Sequence, residues 1–335
     1  MRAPGFYYRR PGLAAFLLLP FAMIYGAAAG WLMGRPGARA RVPVICVGNP
    51  TLGGAGKTPT ALAIARLLAA MGERPVFLSR GYGGSNRRPM LVDLAMHTAR
   101  EVGDEPLLLA GEFPTVVARD RAAGAALASA QGASVIVMDD GFQNPSLSKD
   151  LSLLVVDAAT GIGNGDVFPA GPLRAPLHAQ LAFAHGVVRV GRGEASSFVE
   201  EQAKTAGLKI IAADLAPDTQ VAAKLKGRNL LAFAGIGHPQ KFFATLRSLG
   251  AVVSVAREFA DHHRYSASDA RELIEVAKEK ELTLATTEKD LARMKGDAAL
   301  DELAAQSTAL PVRLEFEDGE SVRKLLGRAL KQRRG

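Results

Sequence analysis

A glycine-rich turn carrying a lysine and a threonine stands between two regular elements in residues 42–58, VPVICVGNPTLGGAGKT. Residues 42–47 are apolar and rich in β-branched side chains, which predicts a buried strand, and a helical pattern starts at about Pro59. Glycines let backbone N–H groups curl around phosphate oxygens, and the helix N-terminus adds a favourable dipole. The segment therefore predicts a phosphate-binding loop for a nucleotide, with an ordinary glycine-rich turn as the alternative.

The side chains of this loop are of the types that hold ATP and its metal. Lys57 would place a positive charge on the terminal phosphates, and the Thr58 hydroxyl would be a ligand of Mg²⁺. Thr51 replaces the glycine that usually begins such a loop, so the path of residues 48–52 is left open. The residues predicted to contact the nucleotide are Thr51, Leu52, Gly53, Gly54, Ala55, Gly56, Lys57 and Thr58.

Two aspartates follow a second buried strand. Residues 135–138 are apolar, and Asp139 and Asp140 come directly after them. The carboxyl ends of parallel strands meet at one edge of a sheet, where P-loop enzymes place an acidic residue that holds Mg²⁺ or its water shell. An acidic turn after a strand is common by itself, but together with the upstream loop it predicts a metal role for both aspartates.

The elements that must position these residues alternate between strand and helix along most of the chain. This alternation predicts an α/β protein with a P-loop NTPase-like, mostly parallel sheet flanked by helices. A second, smaller α/β domain would follow, together with an N-terminal hydrophobic membrane helix. The predicted domains are 1–35 (N-terminal hydrophobic helix), 36–225 (nucleotide-binding domain) and 226–335 (smaller α/β domain), with residues 312–316 as the last strand of the smaller one.

Composition narrows the class of partner. The chain has 335 residues, 48% of them hydrophobic, and a net charge of +8, which favours an anionic partner. Aromatic residues are sparse (6%), and no basic stretch is interleaved with them as base stacking requires, so a lipid surface is favoured over nucleic acid. The single cysteine, Cys46, lies in the first predicted strand and cannot form an internal disulfide, which predicts a core residue.

The N-terminal segment is long and apolar enough to meet a membrane. Residues 11–34 contain no charged side chain, and arginines stand on both sides of them, so charge counting does not give an orientation. Three alternatives are open: a cleaved signal peptide, a spanning helix, or a helix that dips into one leaflet with a kink at Pro20. We favour membrane attachment with the catalytic part in the cytoplasm, because a nucleotide-binding protein would find little ATP after export.

Absent motifs exclude several classes of nucleotide-binding protein. The sequence has no Asn-Lys-x-Asp motif for reading guanine, and residues 287–290 have the wrong spacing for one. Leu52 stands where dimerising membrane ATPases carry a second lysine, and no second repeat of transporter type occurs. These absences leave a membrane-attached kinase with an amphiphilic acceptor.

Eight motifs give the sequence a specific resemblance that covers almost the whole chain. They occur in the order GNPTLGGAGKTP, LSRGYGG, VGDEP, VMDDGFQ, PAGPLR, FAGIGHPQKFF, FADHHRYS and TTEKD. The chain resembles the tetraacyldisaccharide 4′-kinases, lipid A pathway enzymes of Gram-negative inner membranes. The resemblance implies transfer of the ATP γ-phosphate to the 4′-hydroxyl of a tetraacyl glucosamine disaccharide 1-phosphate, giving lipid IVA. Only the resemblance supplies this acceptor.

The resemblance also implies roles for single residues. Lys57 and Arg174 would stabilise charge on the transferring phosphoryl group. Asp104 would accept the proton of the sugar hydroxyl, paired with His262 from the second domain. His263 is the neighbouring candidate, and the sequence does not decide between the two histidines. Weaker candidates for lid or acceptor-phosphate contacts are Arg80, Tyr82 and Arg121.

The expected location is the cytoplasmic face of the inner membrane, with the lipid substrate and the lipid surface as partners. Neither nucleic acid nor a protein partner is inferred. Two rival functions remain at this point: a membrane-docked nucleotide switch, and an exported binding module from which residues 1–29 have been removed.

Overall fold

Two sheets of mainly parallel strands with helices packed against them make up the protein, for which the computed structural model describes residues 4–9, 12–54 and 56–334. The strands are β1 (Val44–Gly48), β2 (Pro75–Ser79), β3 (Met90–Leu91), β4 (Thr115–Val117), β5 (Val135–Asp139), β6 (Leu151–Asp157), β7 (Gly186–Val190), β8 (Lys209–Pro217), β9 (Asn229–Ala234), β10 (Val252–Glu258), β11 (Thr283–Thr287), β12 (Ser307–Leu310) and β13 (Val312–Phe316).

The helices include short single turns as well as longer elements. They are α1 (Leu13–Met33), α2 (Lys57–Ala70), α3 (Ala99–Val102), α4 (Asp104–Ala110), α5 (Arg121–Ala130), α6 (Leu177–Ala182), α7 (Ser197–Thr205), α8 (Thr219–Leu225), α9 (Pro239–Ser248), α10 (Ala267–Glu279), α11 (Glu288–Met294), α12 (Asp301–Gln306) and α13 (Gly319–Arg334). A 3₁₀ helix, Gly5–Tyr8, precedes α1.

The larger sheet places β1 at its centre. Among the described residues its strand order is β13-β8-β7-β6-β1-β5-β2-β4-β3, and β1 runs parallel to both neighbours. Val44 and Cys46 face one core cluster while Ile45 and Val47 face the other, because alternate side chains of a strand point to opposite faces. A strand covered on both faces must be apolar throughout, which explains the predicted run and confirms Cys46 as a core residue.

The smaller sheet has the order β10-β9-β11-β12, and its strands pair in parallel. Strand β13 was expected to belong to it, but β13 instead pairs antiparallel with β8 at the edge of the larger sheet. The following α13 also packs on the larger sheet, against α2 and β13. The domain limits 1–35, 36–225 and 226–335 remain a proposal. The pairing of β13 with β8 favours assigning residues 312–334 to the domain that contains the larger sheet.

Helix α1 packs through small residues and exposes large ones. Its buried stripe consists of Ala15, Ala22, Gly26 and Met33. Gly26 lies against Pro176, the residue before α6. A Cβ added to Gly26 would lie 3.4 Å from the Pro176 side chain. The most exposed large side chains are Leu13, Phe16, Leu17, Phe21, Met23, Ile24 and Trp31. By length and composition, α1 is able to cross a bilayer.

Helix α10 starts slightly earlier than the sequence suggests. The sequence pattern predicts a helix around residues 269–279 with Ser268 as its cap, but the cap is Ser266, whose hydroxyl accepts from the N–H of Asp269. The Asp269 carboxylate in turn accepts from the N–H of Ser266, completing a capping box. The error arose because both serines precede the apolar pattern, and only the reciprocal bond distinguishes them.

Candidate active site

The phosphate loop runs from the carboxyl end of β1 to the first turn of α2. Lys57 and Thr58 are the first two residues of α2, and both are buried. Gly56 caps the helix in the left-handed region (φ 86°), and Gly53 is also left-handed (φ 106°), a conformation that glycine adopts without strain. The predicted nucleotide contact of Ala55 lies outside the described residues. The strand, loop and helix thus have the arrangement that phosphate binding requires.

A second segment holds the start of the loop, whose path the sequence left open. The N–H of Leu52 donates to the carbonyl of Pro172 (2.8 Å), and the N–H of Arg174 donates to the carbonyl of Pro50 (2.8 Å). The Nε–H of Arg174 donates to the carbonyl of Thr51 (2.8 Å). These bonds fix the loop without the usual first glycine, and they bring the Arg174 guanidinium beside it.

The Lys57 ammonium lies within this loop. Its Nζ donates to the carbonyl of Gly53 (3.1 Å) and lies 3.9 Å from Asp140 Oδ2. Burial lowers the pKa of Lys57, while the Asp140 carboxylate acts in the opposite direction. An ammonium has three N–H donors, so Lys57 retains donors for phosphate oxygens.

Asp140 forms a two-point ion pair with Arg174. Nη1 of Arg174 lies 2.7 Å from Oδ1, and Nη2 lies 3.2 Å from Oδ2. Burial raises the pKa of Asp140, but the charges of Lys57 and Arg174 outweigh that effect and lower it. Both oxygens of Asp140 accept a hydrogen bond from Arg174, so Asp140 would have to share them between the guanidinium and a metal. Its predicted metal role stays a prediction.

Asp139 and Thr58 offer better ligands for Mg²⁺. The Thr58 hydroxyl donates to Asp139 Oδ2 (3.3 Å), and Asp139 Oδ1 is buried with no hydrogen-bond partner among the described residues. No cluster of three or more His, Cys, Asp or Glu side chains able to hold a metal occurs within those residues. Mg²⁺ commonly takes one or two protein oxygens and completes its shell with phosphates and water, so the pair fits this ion.

The ionisation of Asp139 predicts a pH-dependent stability. Burial, followed by the charges of Glu105 and Asp140, raises the pKa of Asp139 to about 7. The native state therefore binds a proton that the unfolded state releases, and this contribution to stability is lost as pH rises from about 4 to about 7. Without Mg²⁺ or nucleotide, we expect Asp139→Asn to raise the unfolding temperature at about pH 8 more than at about pH 5. The exposed-site variant Asp301→Asn should show no such difference, and an equal shift of Asp139→Asn at both pH values would contradict the assignment.

Asp104 and His262 meet across the two sheet units. Asp104 is the first residue of α4 and is 4% exposed; it does not cap the helix, since the N-cap position is occupied by Gly103. His262 Nδ1 lies 3.1 Å from Asp104 Oδ2, so an Nδ1–H donates to the carboxylate. Burial raises the pKa of Asp104, but the His262 hydrogen bond and the charge of Arg293 outweigh it and hold that pKa well below its usual range. The same hydrogen bond raises the pKa of His262.

The backbone decides which of the two neighbouring histidines faces Asp104. His262 is in the left-handed region (φ 56°), which is unusual for a residue with a side chain and occurs often at functional sites. His263 instead lies 3.1 Å from Asp269 Oδ2 through Nε2 and stacks on Phe259 with ring centroids 4.7 Å apart. The structure thus pairs His262 with Asp104.

Two adjoining cavities surround these groups. One, of about 610 Å³, is lined by residues of α1, including Tyr25 and Leu32, and by Asp139, Arg174 and Glu105. The second, of about 270 Å³, contains the Asp104–His262 pair. Both cavities share Tyr82 as a lining residue.

The weaker candidates differ in their accessibility. Tyr82 is 67% exposed, and its ring centroid lies 5.4 Å from that of His262. Arg80 is exposed and lines the larger cavity. Arg121 is 1% exposed and donates to the carbonyl of Ala118 (3.0 Å), so it is not open to a lipid headgroup here.

Sequence reasoning missed the cations that approach Asp104 and its neighbour Glu105. Arg293 Nη2 lies 2.6 Å from Asp104 Oδ2, and Lys289 Nζ lies 2.7 Å from Glu105 Oε1. Both belong to α11, and both acidic residues begin α4. The only available signal was the motif TTEKD, because Lys289 lies within it and Arg293 follows one helical turn after Asp290.

Comparisons with known proteins agree over nearly the whole chain. A family model described as tetraacyldisaccharide-1-P 4′-kinase matches residues 14–331. A tetraacyldisaccharide 4′-kinase of Bradyrhizobium sp. (strain ORS 278) is 52% identical over 98% of each chain, and one of Methylobacterium nodulans is 54% identical over 96% of this chain and 94% of its own. The crystal structure of an "apo" form of LpxK from Aquifex aeolicus in complex with ATP superposes with a TM-score of 0.74 at 26% identity, covering 95% of this chain and all of the other.

Proposed function

This chain belongs to the tetraacyldisaccharide-1-P 4′-kinase family, and we propose that the residues around Lys57 and Asp104 carry its activity. The reaction is transfer of the γ-phosphate of ATP to the 4′-hydroxyl of a tetraacyl glucosamine disaccharide 1-phosphate, a step of lipid A biosynthesis. A bond forms between the 4′-oxygen and the γ-phosphorus, the bond to the β–γ bridging oxygen breaks, and ADP leaves.

Charge stabilisation is assigned to the phosphate loop and its arginine. In phosphoryl transfer most of the catalysis comes from positioning and from electrostatic stabilisation. Lys57 and Arg174 both lie beside Asp140 and supply two cations at the transferring group. Thr58 and Asp139 would hold Mg²⁺, which when bound neutralises negative charge on the β- and γ-phosphate oxygens.

Proton transfer is assigned to the Asp104–His262 pair. The hydroxyl proton must pass to a group within hydrogen-bond reach of the 4′-oxygen. Oδ1 of Asp104 accepts one hydrogen bond, from the N–H of Glu105 (3.0 Å), and a carboxylate oxygen has room for a second. The imidazole of His262 orients the carboxylate from the opposite unit through its Nδ1–H.

The observation that carries this proposal is the composition of the larger cavity. Its walls combine apolar side chains of α1 with Asp139, Asp140 and Arg174, which lie beside the phosphate loop. A lipid with a polar sugar head needs both kinds of surface within reach of one another. A nucleotide switch would have no use for an apolar wall opening onto its phosphate site.

The acceptor assay tests the proposal. We expect purified protein with ATP, Mg²⁺ and the tetraacyl disaccharide 1-phosphate in detergent micelles to release ADP only when the acceptor is present. Mass spectrometry should find the acceptor heavier by one phosphate. Folded, ATP-binding protein that hydrolyses ATP without modifying the lipid would contradict the proposal and favour the nucleotide switch.

We further propose that α1 attaches the enzyme to the cytoplasmic face of the inner membrane. One face of α1 packs on the protein through small residues, whereas the large apolar side chains point away. A helix held in this way buries its outer face in one leaflet while keeping its inner face on the enzyme. Acyl chains could then pass from the leaflet along α1 to the cavity.

Charges on the outer face of α1 should weaken membrane binding. Leu17 and Phe21 are each 63% exposed, and burying such a side chain contributes roughly 1.5–3 kcal/mol. We expect the double variant Leu17→Asp/Phe21→Asp to bind vesicles about 100-fold more weakly, measured by co-sedimentation. Met96→Asp changes an equally exposed apolar residue outside α1 and should bind normally. Unchanged binding of the double variant would contradict attachment through this face.

A further inference from the structure

We propose that Arg293 is a positioning residue of the kinase reaction. Its single side chain keeps Asp104 and His262 at the distance and orientation at which they pair. The inference rests on the proposed function, since it gives a role in that reaction to a residue of α11. Arg293 lies outside the phosphate loop and outside the charge-stabilising pair of Lys57 and Arg174.

One edge of the Arg293 guanidinium holds the carboxylate. Nε–H and Nη2–H both donate to Asp104 Oδ2, at 2.8 and 2.6 Å, and the arginine side chain is 6% exposed. With His262 on the same oxygen, Oδ2 accepts three N–H groups. Charge-assisted bonds of this kind are the strong ones, so Asp104 cannot rotate without breaking them. The other oxygen, Oδ1, keeps the free acceptor capacity for a hydroxyl proton.

The remaining nitrogen of the guanidinium holds the histidine. Nη1–H donates to the carbonyl of Gly235 (2.6 Å) and to Asp290 Oδ1 (2.8 Å). The same Gly235 carbonyl accepts from the backbone N–H of His262 (3.0 Å). Arg293 therefore connects the carboxylate of one unit with the backbone that keeps His262 in its left-handed conformation.

The anchor of Arg293 is itself fixed. Asp290 Oδ1 also accepts from the N–H of Gly235 (2.9 Å) and from the hydroxyl of Tyr265 (2.9 Å), and Asp290 is fully buried. A larger residue at position 235 would be crowded, because a Cβ added to Gly235 would lie 3.1 Å from Asp290 Oδ1. A rigid shell of this type is what holds a catalytic pair to within a few tenths of an ångström.

A lysine could not replace both functions of this arginine. An ammonium is a single point of charge, whereas the planar guanidinium presents separate donors to Asp104 and to Gly235. The conservative variant R293K would thus keep a positive charge near Asp104 but lose the connection to the His262 backbone. The neutral variant R293Q would lose the charge as well.

The test compares kcat, KM for ATP and the pH profile of kcat for R293K, R293Q and the control R257Q. Arg257 belongs to the same smaller unit and pairs at the surface with Glu272 (3.3 Å). We expect kcat to fall about tenfold in R293K and about 100-fold in R293Q, with KM for ATP within about twofold of the parent. Loss of the positive charge disfavours the ionised form of Asp104. In R293Q the acidic limb of the pH profile of kcat should therefore move to higher pH. In R293K this acidic limb should stay at the parental pH. R257Q should match the parent in kcat, in KM for ATP and in the pH profile.

The outcomes separate this role from the activity itself. Parental kcat in R293Q, or a lower kcat with an unmoved acidic limb, would overturn the role of Arg293 and leave the kinase activity intact. A parent enzyme that forms no phosphorylated lipid would contradict the proposed function instead. If thermal unfolding shows that R293Q is not folded, R293K decides alone: parental kcat overturns the inference, and a lowered kcat with an unmoved acidic limb supports it.

Discussion

Lys57→Ala is expected to lower kcat about 10²–10³-fold or more, which is the usual loss when a preorganised donor to the transition state is removed. The Lys57 ammonium is buried in the loop and pairs loosely with Asp140, so no other side chain of the loop can take over its charge. The measurement is the rate of lipid phosphorylation at saturating ATP and acceptor. Because Lys57 is also proposed to contact the phosphates of ATP, ATP affinity measured by calorimetry should fall in parallel.

An exposed lysine provides the control for this prediction. Lys204 lies on the surface of α7, and Lys204→Ala removes the same charge without touching the site. The control should keep parental rates and parental ATP affinity. Wild-type turnover in Lys57→Ala, with Lys204→Ala unchanged, would show that the phosphate loop does not carry the reaction.

Asp104→Asn is expected to lower kcat by about 10²–10⁴-fold, the range over which a general base contributes. The amide has nearly the shape of the carboxylate, but it cannot accept the hydroxyl proton. It also removes one of the two carboxylates that pair with the buried Arg293 and leaves only Asp290, so some loss of stability should accompany the loss of rate. The rate of phosphorylation and the unfolding temperature should therefore be measured on the same preparation.

The contrast between ATP binding and turnover makes this second prediction specific. Asp104 does not line the larger cavity and lies on α4 rather than in the phosphate loop, so Asp104→Asn should bind ATP with nearly parental affinity. Asp301→Asn, at an exposed position of α12, should leave both the ATP affinity and the turnover unchanged. Turnover of Asp104→Asn close to that of the parent would remove Asp104 from the reaction.

Local pattern was enough to predict the phosphate loop and the central strands. An apolar run such as residues 44–48 must be buried on both faces, and glycines at 53 and 56 are needed wherever the backbone turns left-handed. These features depend on neighbours in sequence, which one chain displays directly. The fold class and the resemblance to the kinase family are likewise confirmed.

Features that depend on distant pairing were not predictable in the same way. Strand β13 has an ordinary apolar pattern, and only its antiparallel register with β8 assigns it to the larger sheet. The choice between His262 and His263 depends on one left-handed backbone conformation, which no pattern of side chains reveals. Arg293 reaches Asp104 from a helix far along the chain, so its charge could not be connected with that carboxylate before the fold was known.

The position of the new phosphate on the lipid tests the central claim most directly. After incubation of the parent enzyme with ATP, Mg²⁺ and the tetraacyl disaccharide 1-phosphate, the purified product is examined by two-dimensional ¹H–³¹P NMR. The account predicts a second phosphorus signal that correlates with the proton on carbon 4′, and a far weaker one from Lys57→Ala or Asp104→Asn after the same incubation time. A phosphorus signal correlated with any other sugar position, or phosphate released only into water, would contradict it.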